Sequence, residues 1–136
     1  MTKAQALTAY LAGRQPAPFS WPLANCGHFA GGFVQLVEGR DPLAALTMPA
    51  SLTACRRHMR AAGGLQAVVT QALAREPIPA ALAQVGDVVL LPLSDTDPEA
   101  QALGLCCGEQ AAAVRDDGGL TYHPMSNALT AWRVGA

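Results

Sequence analysis

The stretch Val85-Gly86-Asp87-Val88-Val89-Leu90-Leu91 marks the point where the sequence pattern changes from helical to extended. A run of β-branched and aliphatic residues behind a Gly-Asp entry is typical of a buried strand. Four more short apolar runs, each bounded by turn-forming residues, follow at 102–107, 111–115, 120–122 and 129–134. The C-terminal half, about residues 84–136, is therefore predicted to be an antiparallel meander.

Upstream of this stretch the apolar residues recur at helical spacing. Helices are predicted at 2–12, 26–38, 52–62 and 65–74, with Gly39 and Gly63-Gly64 as stops. The second helix is expected to turn Phe29, Phe33, Leu36 and Val37 inward. The third carries three arginines, which predict either a solvated face or a contact patch for an acidic partner: Arg56, Arg57 and Arg60.

A helical first half (about 1–76) followed by an antiparallel second half predicts an α+β fold in one domain spanning residues 1–136. Of the 136 residues, 51% are hydrophobic and 14% charged, which excludes a disordered chain. The net charge of −1 gives no electrostatic footprint for nucleic acid. No apolar run reaches the length of a membrane span, and the N-terminus does not resemble a signal peptide. So little charge predicts a surface partly covered by a partner.

Cys26 is the candidate nucleophile. Asn25 is a plausible N-cap, so Cys26 falls in the first turn of the second helix, where unpaired N–H groups favour a thiolate. A catalytic cysteine also needs a histidine from elsewhere in the fold. The alternative reading is an ordinary buried thiol, since free cysteine is among the most buried residue types.

Several short motifs occur in a specific order along nearly the whole chain. They are Phe19-Ser20-Trp21, Asn25-Cys26, Gly39-Arg40-Asp41-Pro42, Gly63-Gly64, Gly86-Asp87-Val88-Val89, Ala102-Leu103-Gly104 and Ala131-Trp132-Arg133-Val134. This set resembles the NlpC-type branch of the papain-like superfamily. It is more closely similar to small proteins encoded in the tail modules of tailed phages and prophages. The resemblance implies a papain-like fold in which the Cys-bearing helix packs on the C-terminal sheet, and a groove beside Cys26 that includes Phe19, Trp21 and Asn25.

In active members of the superfamily the helix-start cysteine attacks a peptide bond of peptidoglycan, and a histidine that opens a later strand is its base. Here Ala102 stands at that histidine's position, and Asn25 replaces the usual acidic residue before the cysteine. Of the three histidines, His28 points away from Cys26 on the same helix and His58 is expected at the surface. His123, at the end of a predicted strand, is the candidate for a relocated base.

Three functional hypotheses follow from the resemblance and its departures. The first is a non-catalytic component of a phage or prophage tail tip, contacting tail hub, distal tail or tape-measure proteins. It would be made in the host cytoplasm and carried into the virion tail. The second is a peptidoglycan-degrading cysteine peptidase that uses Cys26 and His123. The third is a module that binds cell-wall peptide or glycan without turnover. None of them calls for a cofactor, and no metal site is predicted.

Overall fold

A computed structural model describes residues 2–13, 26–42, 52–115 and 119–135, apart from the side chains of residues 26, 27, 52 and 55. Four α-helices precede five strands in this part of the chain. The helices are α1 (Lys3–Ala12), α2 (Cys26–Glu38), α3 (Leu52–Ala61) and α4 (Leu65–Leu73). The strands are β1 (Val88–Pro92), β2 (Gln101–Cys106), β3 (Gln110–Val114), β4 (Leu120–Pro124) and β5 (Thr130–Trp132). Two short 3₁₀ turns, Ala80–Leu82 and Met125–Asn127, lie between them. The predicted α+β class is confirmed.

The five strands form one antiparallel sheet in the order β4-β3-β2-β1-β5. The first four strands form the expected meander. The last strand departs from it, because β5 pairs with β1 at the far edge rather than with β4. The 3₁₀ turn at Met125–Asn127 carries the chain away from β4, and Leu129 N–H then donates to the Leu90 carbonyl at 2.9 Å.

The two faces of the sheet are covered differently. One face, here called the helix face, packs against α1, α2 and α4. It carries Val88, Leu90, Leu103, Leu105, Ala112 and Trp132. The second face carries Val89, Leu91, Cys106, Ala111, Ala113 and Ala131, and side chains of the 3₁₀ segments pack against it. Because successive strand residues alternate between faces, the register assigns every described strand position to one of them.

Helix α2 forms the centre of the helix layer and has the predicted bounds. Phe29, Ala30, Phe33 and Val34 are buried, as expected for a stripe at i, i+3, i+4 spacing. The inward orientation expected for Leu36 is wrong, because 55% of this residue is exposed. The buried stripe is centred between Phe33 and Ala30, and Leu36 lies roughly 90° away from that centre around the helix.

Candidate functional site

The N-terminal end of α2 is the first element of the candidate site. The helix begins at Cys26, as the sequence indicated. The side chain of Cys26 and the other expected groove residues, Phe19, Trp21 and Asn25, lie outside the described residues. The described part of the site consists of α2 and the helix face of the sheet, against which α2 packs.

Close contacts at Gly31 and Gly32 in α2 leave no room for a side chain at either position. A Cβ at Gly31 would overlap the Asp41 carboxylate, and one at Gly32 would lie 2.5 Å from the Tyr10 hydroxyl oxygen. That hydroxyl donates a 2.7 Å hydrogen bond to the Phe29 carbonyl. The two glycines therefore let α1 and the residues after α2 approach the helix closely, at a cost in helix propensity of about 1 kcal/mol each.

The helix face of the sheet is predominantly apolar. Along the described strands its polar or titratable side chains are limited to Gln101, Gln110, Tyr122 and Thr130, with Cys107 directly after β2. No histidine, aspartate or glutamate of these strands lies on this face. A general base must come within about 3 Å of the group from which it takes a proton. The described strands therefore offer no imidazole or carboxylate to the side of the sheet on which α2 packs.

His123 lies on the second face. It pairs with Ala111, whose side chain belongs to the core cluster opposite the helices. Its Nε2 atom is buried and has no hydrogen-bond partner among the described residues. The register thus turns His123 away from the layer that contains α2. The pairing of His123 with Cys26 stays a prediction, which this register does not favour.

Ala102 lies on the second face as well. It pairs with Leu91 and is 8% exposed. Its neighbour Leu103 points to the helix face and packs in the larger core cluster. The correspondence between Ala102 and the histidine of active relatives therefore rests on motif order, because the methyl group itself does not face α2.

The Gly86-Asp87 motif forms a buried ionic centre. The Asp87 side chain is completely buried, and its Oδ1 accepts hydrogen bonds from Lys3 Nζ (2.8 Å) and Val134 N–H (3.0 Å). Its Oδ2 accepts from Gln84 N–H (2.8 Å) and lies 3.1 Å from Arg133 Nε. The Arg133 contact is an ion pair without hydrogen-bond alignment, because that Nε finds no aligned acceptor.

Asp87 holds three distant parts of the chain together. Lys3 is at the start of α1 and also donates to the Val134 carbonyl at 2.9 Å. A buried carboxylate is tolerable only when it is paired and fully hydrogen-bonded, and this one is. This ionic role is not predicted from the sequence. The available signal is an aspartate at the entry of an otherwise apolar run.

A second ionic contact lies at the C-terminal end of α2. Arg75 donates to both Glu38 carboxylate oxygens, at 2.7 and 2.8 Å, and to the Arg133 carbonyl. Glu38 also accepts from Gly135 N–H. The hydrogen bonds from Arg75 lower the pKa of Glu38 although burial opposes them. The same pair raises the pKa of Arg75.

Two arginines of α3 form ion pairs with carboxylates of the same chain. Arg60 makes a two-pronged contact with the Glu99 carboxylate, at 2.8 to 3.2 Å, and Arg56 lies 3.1 Å from Asp97. The arginines of α3 therefore contact the partly exposed acidic turn at Asp97 and Glu99 of the same chain. Charge complementarity between α3 and this turn was available in the sequence, but nothing there placed the two side by side.

A family model described as a domain of unknown function (DUF6950) matches residues 2–134. The chain belongs to the DUF6950 family. No curated protein matches it. The family match spans all the described helices and strands, so the fold given above is the fold of one DUF6950 domain. None of the described helices is long and apolar enough to cross a bilayer.

The two adjacent cysteines of this domain, Cys106 and Cys107, point to opposite faces, as the alternation of strand residues requires. Cys106 packs in the second-face cluster, and Cys107 packs against the helix-face cluster. Burial raises the pKa of both thiols, so both are protonated at neutral pH and poorly nucleophilic. Cys107 and Tyr122 line an open groove of about 430 Å³ between α1 and the sheet. Its other lining residues are Leu7, Thr8, Leu11, Ala12 and Val85.

Proposed function

We propose that this DUF6950 chain is a structural or assembly component of a bacteriophage or prophage tail tip, built on a papain-like fold that has lost its catalytic partner residues. It would be made in the host cytoplasm and carried into the virion tail. The proposed partners are tail hub, distal tail or tape-measure proteins. The genomic setting comes from the resemblance of the ordered motifs to tail-module proteins.

The observation that favours a scaffold over an enzyme is the composition of the helix face. A cysteine peptidase needs a group that accepts the thiol proton and returns it to the leaving amine. The described strands place only apolar and uncharged polar side chains on the helix face, and the register turns His123 to the other side. The described strands therefore keep the surface against which α2 packs without a group that could transfer a proton there, which supports a structural role.

The low charged fraction of the chain supports a surface that is partly covered by a partner. Among the described residues, four leucines are more than half exposed: Leu36, Leu82, Leu93 and Leu129. They occur on different elements, and singly exposed leucines are common on monomers, so the low charge carries this argument.

The test is deletion of the gene from the phage or prophage that encodes it, followed by mass spectrometry of purified particles. The proposal expects the protein in wild-type tails, and deletion to yield tails that are absent or altered in composition. Tails of normal composition, together with absence of the protein from purified particles, would contradict it. Digestion of peptidoglycan by the purified protein, abolished by both Cys26→Ala and His123→Ala, would replace the proposal with the peptidase reading.

A further inference from the structure

The two edges of the sheet are protected differently. At the β5 edge, Ile78 exchanges backbone hydrogen bonds with Ala131: Ile78 N–H donates at 2.7 Å and Ala131 N–H donates in return at 3.0 Å. The chain's own segment therefore covers that edge. At the other edge lies β4, with no further strand beside it in the part of the chain that the structure describes.

The hydrogen-bond register shows which groups β4 presents outward. Met125 N–H donates to the Glu109 carbonyl, and Arg115 N–H donates to the Gly119 carbonyl. Antiparallel pairs alternate between bonded and non-bonded positions, so Thr121 and His123 bond to β3, and Leu120 and Tyr122 direct their N–H and C=O groups away from it. Among the described residues these outward groups have no backbone partner.

The side chains of β4 give this edge little protection against pairing with another strand. Natural edge strands are commonly protected by lysine, by inward-pointing charge or by bulges. The sequence Leu120-Thr121-Tyr122-His123-Pro124 has no lysine, arginine or carboxylate, and only Pro124 at its end lacks an N–H. Tyr122 is 49% exposed and lies on the helix face beside the groove between α1 and the sheet.

We infer that the β4 edge pairs with β4 of a second copy of this chain, forming one continuous antiparallel sheet across a two-fold axis at Thr121. With that register Leu120 of one copy exchanges two backbone hydrogen bonds with Tyr122 of the other, and the symmetry gives four such bonds. The facing side chains are complementary. Leu120 lies opposite Tyr122 twice on the helix face, and Thr121 lies opposite Thr121 on the second face, pairs that stabilise antiparallel sheets.

The lack of acidic residues, lysine and arginine on β4 also favours a second copy of this chain as the strand that pairs with this edge. Directly opposed like charges destabilise strand pairs, and β4 contains no aspartate, glutamate, lysine or arginine. The net charge of −1 adds little repulsion between copies. A two-fold contact requires a self-complementary patch, and a strand whose outward residues are Leu120 and Tyr122 around a central threonine meets that requirement.

The experiment is sedimentation velocity of the full chain across a range of micromolar concentrations, together with hydrogen exchange of the Leu120 and Tyr122 amides. The expected result is a monomer–dimer equilibrium in which both amides become more protected as the dimer forms. Tyr122→Lys should weaken the dimer at least about tenfold, because it brings two positive charges beside the axis. Leu93→Lys is the matched control: Leu93 is similarly exposed at 53% but lies beyond β1, and this variant should leave the dimer unchanged.

A second variant keeps the test independent of side-chain chemistry. Tyr122→Pro removes an N–H that donates to nothing in the described monomer, so it should preserve the fold and weaken the dimer. A chain that stays monomeric at all concentrations would overturn the inference. So would a dimer that Tyr122→Lys leaves intact. Protected Leu120 and Tyr122 amides in a monomer would also overturn it, since the chain's own residues outside the described ranges would then cover the edge.

Discussion

Replacing Asp87 by asparagine should destabilise the domain more than any other isosteric change of a single carboxylate. Each Asp87 oxygen accepts from one backbone N–H and faces one cation. An asparagine has one acceptor oxygen, so its NH₂ group must face an N–H donor and a positive charge in either orientation. Two charge-assisted contacts are lost, each worth about 1.5–3 kcal/mol. We therefore expect the free energy of unfolding to fall by about 3–5 kcal/mol, in line with breaking other buried ion pairs.

For a chain of this length, that loss corresponds to a decrease in melting temperature of roughly 10–17 °C, taking about 2.1 cal/mol/K of unfolding entropy per residue. The assay is urea and thermal unfolding followed by circular dichroism. The matched control is Asp95→Asn, since Asp95 is exposed, and it should change stability by less than about 0.5 kcal/mol. A loss below about 1 kcal/mol for Asp87→Asn would refute the reasoning that the buried carboxylate ties α1 and the C-terminal segment to the sheet.

Two further predictions concern α2. Gly32→Ala should lower stability by about 1–3 kcal/mol, because its Cβ would displace the Tyr10 hydroxyl from the Phe29 carbonyl; thermal unfolding in wild-type and Tyr10→Phe backgrounds checks this, and an equal cost in both would contradict it. Since Arg75 holds the pKa of Glu38 below its ordinary value of 4.5, the Glu38–Arg75 contact contributes stability that is present above that value and lost as the pH falls below it. Urea titrations from pH 7 to pH 3 should therefore show Glu38→Gln less stable than wild type at neutral pH and the difference shrinking in acid; a difference independent of pH would count against the contact.

The elements whose apolar spacing is regular were predictable from the sequence. Helix α2 has the bounds that its spacing and Gly39 indicated, and the start of β1 follows the Gly-Asp entry as expected. Local patterns decide these features, because a helix or strand must bury one face. The inward orientation predicted for Leu36 is wrong, because this residue lies at the border of the buried stripe of α2.

Long-range pairings were not predictable in the same way. The return of β5 to β1 and the contacts of Arg60 with Glu99 join residues that are far apart in the chain. The Asp87 centre brings together residues 3, 84, 87 and 133–134. One sequence shows that a buried aspartate needs partners, but several cations and amides could supply them.

The candidate site was predicted in part. The helix start at Cys26 and the opposed faces of Cys106 and Cys107 follow from local periodicity, and both are observed. The face on which His123 lies depends on the register of β4 against β3, which pairs it with Ala111. A shift of one residue would have turned His123 towards the helices, and local sequence patterns do not distinguish the two registers.

The most direct test of the central claim is the infectivity of particles assembled in a gene-deleted phage that is complemented with Cys26→Ser. Cys55→Ser serves as the control for loss of a thiol. A tail component without catalysis predicts that deletion abolishes infectious particles and that Cys26→Ser restores them to the wild-type titre. Particles that assemble normally with Cys26→Ser but fail to infect would contradict the claim, because the thiol would then be needed for chemistry rather than for structure.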